Sequence, residues 1–120
     1  MTPAARAAVA FVAGNIRASH QRSSLYDFQR GQHIQFSGKV SDNKVNIYDF
    51  EAGAHISGTG RGGKLSLYHY GEGAHMNLNI KGSSFDGYDY GTGGHFTGRV
   101  SGNSISIYDY GEGQWYRYSV

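Results

Sequence analysis

Four histidines recur at one place in a repeating pattern: His33, His55, His75 and His95, with Trp115 in the fifth position. Six residues before each stands Asp27, Asp49, His69, Asp89 or Asp109. Imidazole beside carboxylate is the material of acid–base chemistry, and imidazole beside imidazole is the material of a metal site. If the stretch between them closes a hairpin with a bulge at its glycine, Asp27 faces His33, Asp49 faces His55 and Asp89 faces His95. Directly opposed side chains lie about 5 Å apart, close enough to pair. The spacing is that of the repeat itself, so these three pairs read as structural. In the third unit His69 replaces Asp and faces His75, which makes that pair the local candidate for a metal. No His–x–His or His–x3–His pair occurs, and no cofactor is expected.

Catalysis finds little support. The chain has no G-x-S-x-G elbow and no fixed Ser or Thr as third member of a triad. Nearly every unit carries the same pair, whereas an active site is singular. The Gly-x-Gly triplets that begin at Gly71, Gly91 and Gly111 fall in turns and not before helices, where a phosphate loop would need them. The aromatic residues offer a different chemistry. Tyr rings exposed in a row stack on sugar faces, while buried rings supply a small core with its largest side chains. Tyr48, Tyr68 and Tyr88 are expected in the core. Trp115, Tyr116, Arg117 and Tyr118 form a dense terminal cluster, expected as an end cap or a contact patch.

The elements that position these residues follow from the repeat. Tyr26-Asp27-Phe28, Tyr48-Asp49-Phe50, Tyr68-His69-Tyr70, Tyr88-Asp89-Tyr90 and Tyr108-Asp109-Tyr110 recur at steps of 22, 20, 20 and 20 residues, and each Tyr is followed five residues later by Gly. Five copies in register mark a repeat protein. Each aromatic-x-x-Gly step suits a tight antiparallel hairpin whose glycine has positive φ, so Gly53, Gly73 and Gly93 are expected there. Turn-rich stretches around Asp42-Asn43, Gly62-Gly63, Gly82-Ser83 and Gly102-Asn103 join the units. The fold class is therefore an all-β repeat protein with one N-terminal helix. Its five hairpin units of about 20 residues form an antiparallel meander that is open, barrel-like or a sandwich. A β-solenoid with two strands per coil, capped by the helix, also fits, but it would stack Asp27, Asp49, Asp89 and Asp109 in one column of like charges. The meander has a difficulty of its own: a two-residue second turn places Val45 and Ile47, not Tyr48, on the face of Ile34 and Phe36.

Residues 2–19 read as the helix. Thr2 is a good N-cap, Pro3 suits the first helical position, and Ala dominates the interior. The expectation is a single domain over 1–120, with residues 2–19 as a cap that covers a sheet edge or open end and residues 23–120 as the five repeats. A secretory leader is the rival reading, weakened by its thin basic start and short apolar run, which favours the cytoplasm over export. The segment is too short to span a membrane.

The chain has 120 residues, with 19 glycines, one proline and no cysteine. Cysteine's absence excludes disulfides and zinc–thiolate sites. From Gln21 onward nine basic residues balance nine acidic ones, and a neutral body with scattered signs is a poor nucleic-acid surface. Tyr- and Gly-rich hairpins of this length resemble the logic of MORN repeats and of choline-binding repeats. The first pattern expects Gly two residues after Tyr, where this chain has Phe50, Tyr70 or Tyr90. The second expects a Gly-Trp pair, and the lone Trp is Trp115. No residue role is carried over from either. The functional expectation is a non-catalytic structural or protein-interaction module that associates with itself or another protein. A carbohydrate-binding module using Tyr and Trp is the alternative, and His-dependent metal binding a distant third.

Overall fold

The computed structural model describes residues 1–18 and 21–120. One helix, α1 (Pro3–Arg17), precedes ten strands: β1 (Ser24–Asp27), β2 (Gln32–Val40), β3 (Lys44–Asp49), β4 (Ala54–Arg61), β5 (Lys64–His69), β6 (Ala74–Lys81), β7 (Ser84–Asp89), β8 (Gly94–Ser101), β9 (Ser104–Asp109) and β10 (Gln114–Ser119). Each strand pairs antiparallel with its sequence neighbours, and β1 closes on β10. The meander is therefore a closed barrel, with no open edge and no solenoid coil. Ser19, the last residue of the expected helix, lies outside the described residues.

The hairpin register differs from the expected one by a single residue. Tyr48 pairs with His55, Asp49 with Ala54 and Ile47 with Ile56. The cause is the aspartate. Asp49 Oδ1 accepts the N–H groups of Glu51 and Ala52 at 2.9 and 3.0 Å, and its carbonyl accepts Gly53 N–H at 2.8 Å. These bonds wind a four-residue loop that closes at Asp49–Ala54 with no bulged residue. Gly53, Gly73 and Gly93 have φ of 65°, 64° and 74°, as expected. A shift of one residue exchanges the two faces of every strand. Val45, Ile47, Ile34 and Phe36 now share the interior, so the difficulty in the meander disappears without any bulge. The opposite loops are shorter. Gly62 and Gly63 both have positive φ, while Gly82 and Gly102 have it at the first loop position alone, the arrangements of two-residue hairpin turns.

The helix does not cap the barrel; it fills the barrel. Every residue from Ala5 to Asn15 is buried, the signature of a helix surrounded on all sides. Phe11 stacks on Phe36 at 4.2 Å, and a Cβ on Gly14 would lie 3.0–3.1 Å from Ile105 and Val120 side chains. Alanine keeps the rod thin enough for a lumen also lined by Leu25, Ile56, Leu67, Met76, Leu78 and Ile107. Two of the wall's Phe rings face Gly on the paired strand: Phe85 opposes Gly98 and Gly87 opposes Phe96. Arg6, also buried, bonds Asp109 Oδ2 at 3.0 Å and the Met1 carbonyl at 2.7 Å, and its guanidinium lies 3.7 Å from the Tyr116 ring centre.

Two predictions follow from this packing. At Gly73 an added Cβ meets nothing within 4 Å and the cost is the positive φ of 64° alone, so Gly73→Ala should cost about 1 kcal/mol. At Gly38 the same atom would sit 2.1 Å from the Asn46 carbonyl oxygen, so Gly38→Ala should cost clearly more; urea titration of the two variants measures the difference. Arg6→Ala leaves Asp109 buried without its guanidinium and should cost about 3–5 kcal/mol. The check is a thermal melt compared with Arg17→Ala at the exposed end of the helix.

Candidate functional site

The exchanged faces relocate every residue picked out by its chemistry. Asp27, Asp49, His69, Asp89 and Asp109 point inward at one end of the barrel and are all buried. His33, His55, His75 and His95 point outward and are exposed. The expected Asp–His pairs Asp27–His33, Asp49–His55 and Asp89–His95 are therefore not formed, because the sheet lies between their side chains. The same holds for His69 and His75: His69 pairs with Ala74 and His75 with Tyr68. Among the described residues no group of three or more His, Cys, Asp or Glu is placed to hold a metal ion. The terminal cluster divides in the same way. Tyr116 and Tyr118 are buried inside, while Trp115 and Arg117 face out. Burial pushes the Tyr118 hydroxyl up to about 12.

The inward ring winds the turns of this end. Asp27, Asp89 and Asp109 repeat the bonds of Asp49, accepting N–H groups of Gln29, Gly91 and Gly111. Burial pushes the Asp49 carboxyl up, against the two N–H groups that it accepts. Burial acts the same way on Asp109, but the Met1 ammonium at 3.1 Å and Arg6 outweigh it and hold the carboxyl below its ordinary value. His69 plays the aspartate part with Nδ1, which accepts Glu72 N–H at 3.2 Å. Its Nε2 is buried with no partner among the described residues. A neutral imidazole in this position spares the ring a fifth carboxylate.

What the outer face carries instead is a belt of aromatic rings. Each unit sets its first Tyr against two neighbours, edge to face. Tyr48 lies 5.1 Å from Phe50 and 4.8 Å from His55. Tyr68 lies 4.8 Å from Tyr70 and 4.7 Å from His75, and Tyr88 lies 4.7 Å from both Tyr90 and His95. Tyr26 repeats this with Phe28 and His33, and Tyr108 with Tyr110 and Trp115. The Tyr expected in the core is half-buried on the outside, and its partners Phe28, Phe50, Tyr70, Tyr90, Tyr110 and Trp115 are 50–61% exposed. The signal was present in the sequence: inward positions read apolar in alternation (Val45, Ile47; Leu65, Leu67; Ile105, Ile107), and Tyr falls one residue out of phase with them.

Grooves run between the triads. One, of about 600 Å³, is lined by Asn77, Asn79, Asp86, Tyr88, His95, Thr97 and Tyr110. Asn77 Nδ2 donates to the Tyr90 hydroxyl at 3.3 Å and Asn79 Nδ2 to Asp86 at 3.1 Å. A second, of about 480 Å³, occupies the equivalent place one repeat earlier, where Ser57, Thr59, Ser66, Tyr68 and His75 stand 20 residues before their counterparts. The recurrence of the groove under the repeat makes it a property of the unit. Amides, hydroxyls and one aromatic wall form each.

Charge is sorted along the barrel axis. At the belt end lie Glu51, Glu72, Glu112 and the four inward aspartates, with Arg6, Arg30 and Arg117. At the other end lie Arg17, Arg22, Lys39, Lys44, Arg61, Lys64, Lys81 and Arg99, opposed by Asp42 and Asp86. Signs that cancel along the chain are thus separated in space, because successive turns point to opposite ends. No family model, no curated protein and no solved structure matches this chain in comparisons with known proteins.

His69 supplies a pH prediction. Burial lowers its affinity for a proton, while Glu72, Asp49 and Asp89 pull weakly the other way. Folding therefore favours the neutral ring. That contribution is full above the ordinary imidazole value of about 6.5 and is lost as pH falls through the lower folded value. Melting temperature between about pH 7 and pH 5 should fall more for the native chain than for His69→Asn, whose amide does not titrate.

Proposed function

We propose that the barrel is a non-catalytic glycan-binding module, with the outward aromatic belt and its grooves as the binding surface. The observation that carries this reading is the orientation of the rings: five edge-to-face triads face solvent, and their outer members are 50–61% exposed. Free rings beside amides and hydroxyls suit sugars, whose apolar faces stack on aromatic rings and whose hydroxyls need donors and acceptors at the edge. The separation of Asp27, Asp49 and Asp89 from His33, His55 and His95 by the sheet supports the non-catalytic part, since these carboxylates do not pair with the exposed imidazoles of their own hairpins.

A second reading, self-association, is favoured by Phe28 and Phe50. They are 50% and 57% exposed and carry no hydroxyl, so water covers them at a cost that a protein partner would remove. This end is the part of the chain best suited to meet another copy or another protein.

Screening on a glycan array, followed by calorimetry on the sugars retained, tests the first reading. Tyr90→Ala and Tyr110→Ala should each weaken binding severalfold to about tenfold, on the scale of about 0.5–1.5 kcal/mol for an aromatic stacking contact. Both residues are exposed, so the melting temperature should change little. Failure of the native protein to retain any sugar, with a dimer in sedimentation that Phe28→Ser and Phe50→Ser dissolve, would favour the second reading.

A further inference from the structure

The groove beside Tyr68 is not confined to the belt. It shares Lys44 and Asn46 with a larger depression of about 710 Å³ that also takes in Lys39 and Ser41. The two adjoin along these shared residues, a trough in two segments across β2 to β6. At its belt end stand Tyr68 and His75, its floor is hydroxyl and amide, and its far end holds two lysines. Both lysines are exposed, and neither forms an ion pair among the described residues. They belong to the basic end of the barrel, where Asp42 is the acidic residue on the same turn. Tyr68 pairs with Ser57, Ser57 with Asn46 and Asn46 with Lys39, so Tyr68 and Lys39 lie three strand spacings apart, roughly 14 Å, the length of two to three sugar rings.

From this geometry we infer that the trough takes an acidic linear glycan, one that carries carboxylate or sulfate groups. Its rings stack at Tyr68 and its anionic groups meet Lys39 and Lys44. This deepens the glycan reading and rests on it. A neutral sugar would use the aromatic end and leave the lysines idle. A free anion would use the lysines and leave the aromatic end idle. The shared lining of the two segments is the reason to assign one ligand to both. The neighbouring groove, beside Tyr88, carries Asp86 where this one carries Ser66, so it repels such a ligand and the two grooves differ in selectivity. Two partly exposed cations contribute an attraction that salt screens, because the Debye length shrinks from about 10 Å at 0.1 M to about 3 Å at 1 M.

Calorimetry on the whole chain with three probes tests the assignment: a hexagalacturonate, a neutral cellohexaose, and a single-stranded DNA heptamer whose six phosphodiesters match the six carboxylates. The acidic glycan should bind at least about tenfold more tightly than the neutral one at low salt, and the gap should close near 1 M salt. Lys39→Gln with Lys44→Gln should remove that advantage while cellohexaose binding stays unchanged, and Tyr68→Ala should weaken both sugars. Ser66→Asp, which copies the neighbouring groove, should weaken the acidic glycan alone; its site is exposed, so it tests the trough even where Tyr68→Ala unfolds the barrel. Equal affinity for both sugars, insensitive to the lysine changes, would overturn the assignment and leave glycan binding standing. DNA binding tighter than either sugar would replace the ligand class. No binding of any sugar would remove the glycan reading itself.

Discussion

The barrel depends on one local interaction, repeated around its circumference: a buried carboxylate accepting the N–H groups of its own turn. In the second unit Asp49 holds Glu51 and Ala52 within 3.0 Å, and the loop that results contains four residues. Had it contained five, every tyrosine would face the lumen and every aspartate the solvent. Ordinary packing cannot make that choice alone, because Tyr and Ile both bury well. The carboxylate can, since a charged acceptor bonded to two amides is worth more than the usual hydrogen bond. His69 shows that the requirement is for an acceptor at that point and not for a charge. Its Nδ1 makes the same bond with a neutral ring.

Register then dictates what fills the lumen. With the first Tyr of each unit outside, most inward positions are aliphatic or Gly, with Phe36, Phe85, Phe96, Tyr116 and Tyr118 as the inward rings, and a ten-strand barrel lined that way is too wide to close on its own side chains. The Ala-rich helix supplies the missing volume, about 22 Å of rod for its 15 residues. Its fit explains two features that look wasteful in isolation. The inward glycines opposite Phe85 and Phe96 let those rings lie across the partner strand. A charged residue, Arg6, is carried into the core because Asp109 waits there and Tyr116 offers its face. The pair gives the rod a unique depth and rotation, which a purely apolar helix in an apolar tube would lack.

The exterior is the other product of the register. Aromatic rings gather at one end, polar side chains occupy the middle, and lysine and arginine gather at the other end. A barrel spanning lipid has the opposite arrangement, apolar outside and polar within. Here the exposed rings are confined to a belt around one rim. They meet amide- and hydroxyl-lined grooves that recur with the repeat, and one of these adjoins a depression that holds Lys39.

The sequence alone determined the five units, the hairpin turns with their glycines at positive φ and the helix with Thr2 and Pro3 at its start, and it favoured the antiparallel meander over a solenoid, because turn chemistry, alternation and capping act over a few residues. It also held a warning about register: Val45 and Ile47 fell in phase with Ile34 and Phe36, and Tyr48 did not. Tertiary structure alone decided three things. Closure decided that the helix lies inside, since an amphipathic stripe and an all-round apolar rod look alike over four Ala-rich turns. The one-residue register decided that Asp27, Asp49 and Asp89 never meet His33, His55 and His95. The path of the chain decided the electrostatics. Acidic and basic turns alternate along the sequence and cancel in any count of charge. The antiparallel meander sends odd turns to one end and even turns to the other, and so turns a repeat region of zero net charge into a polar barrel.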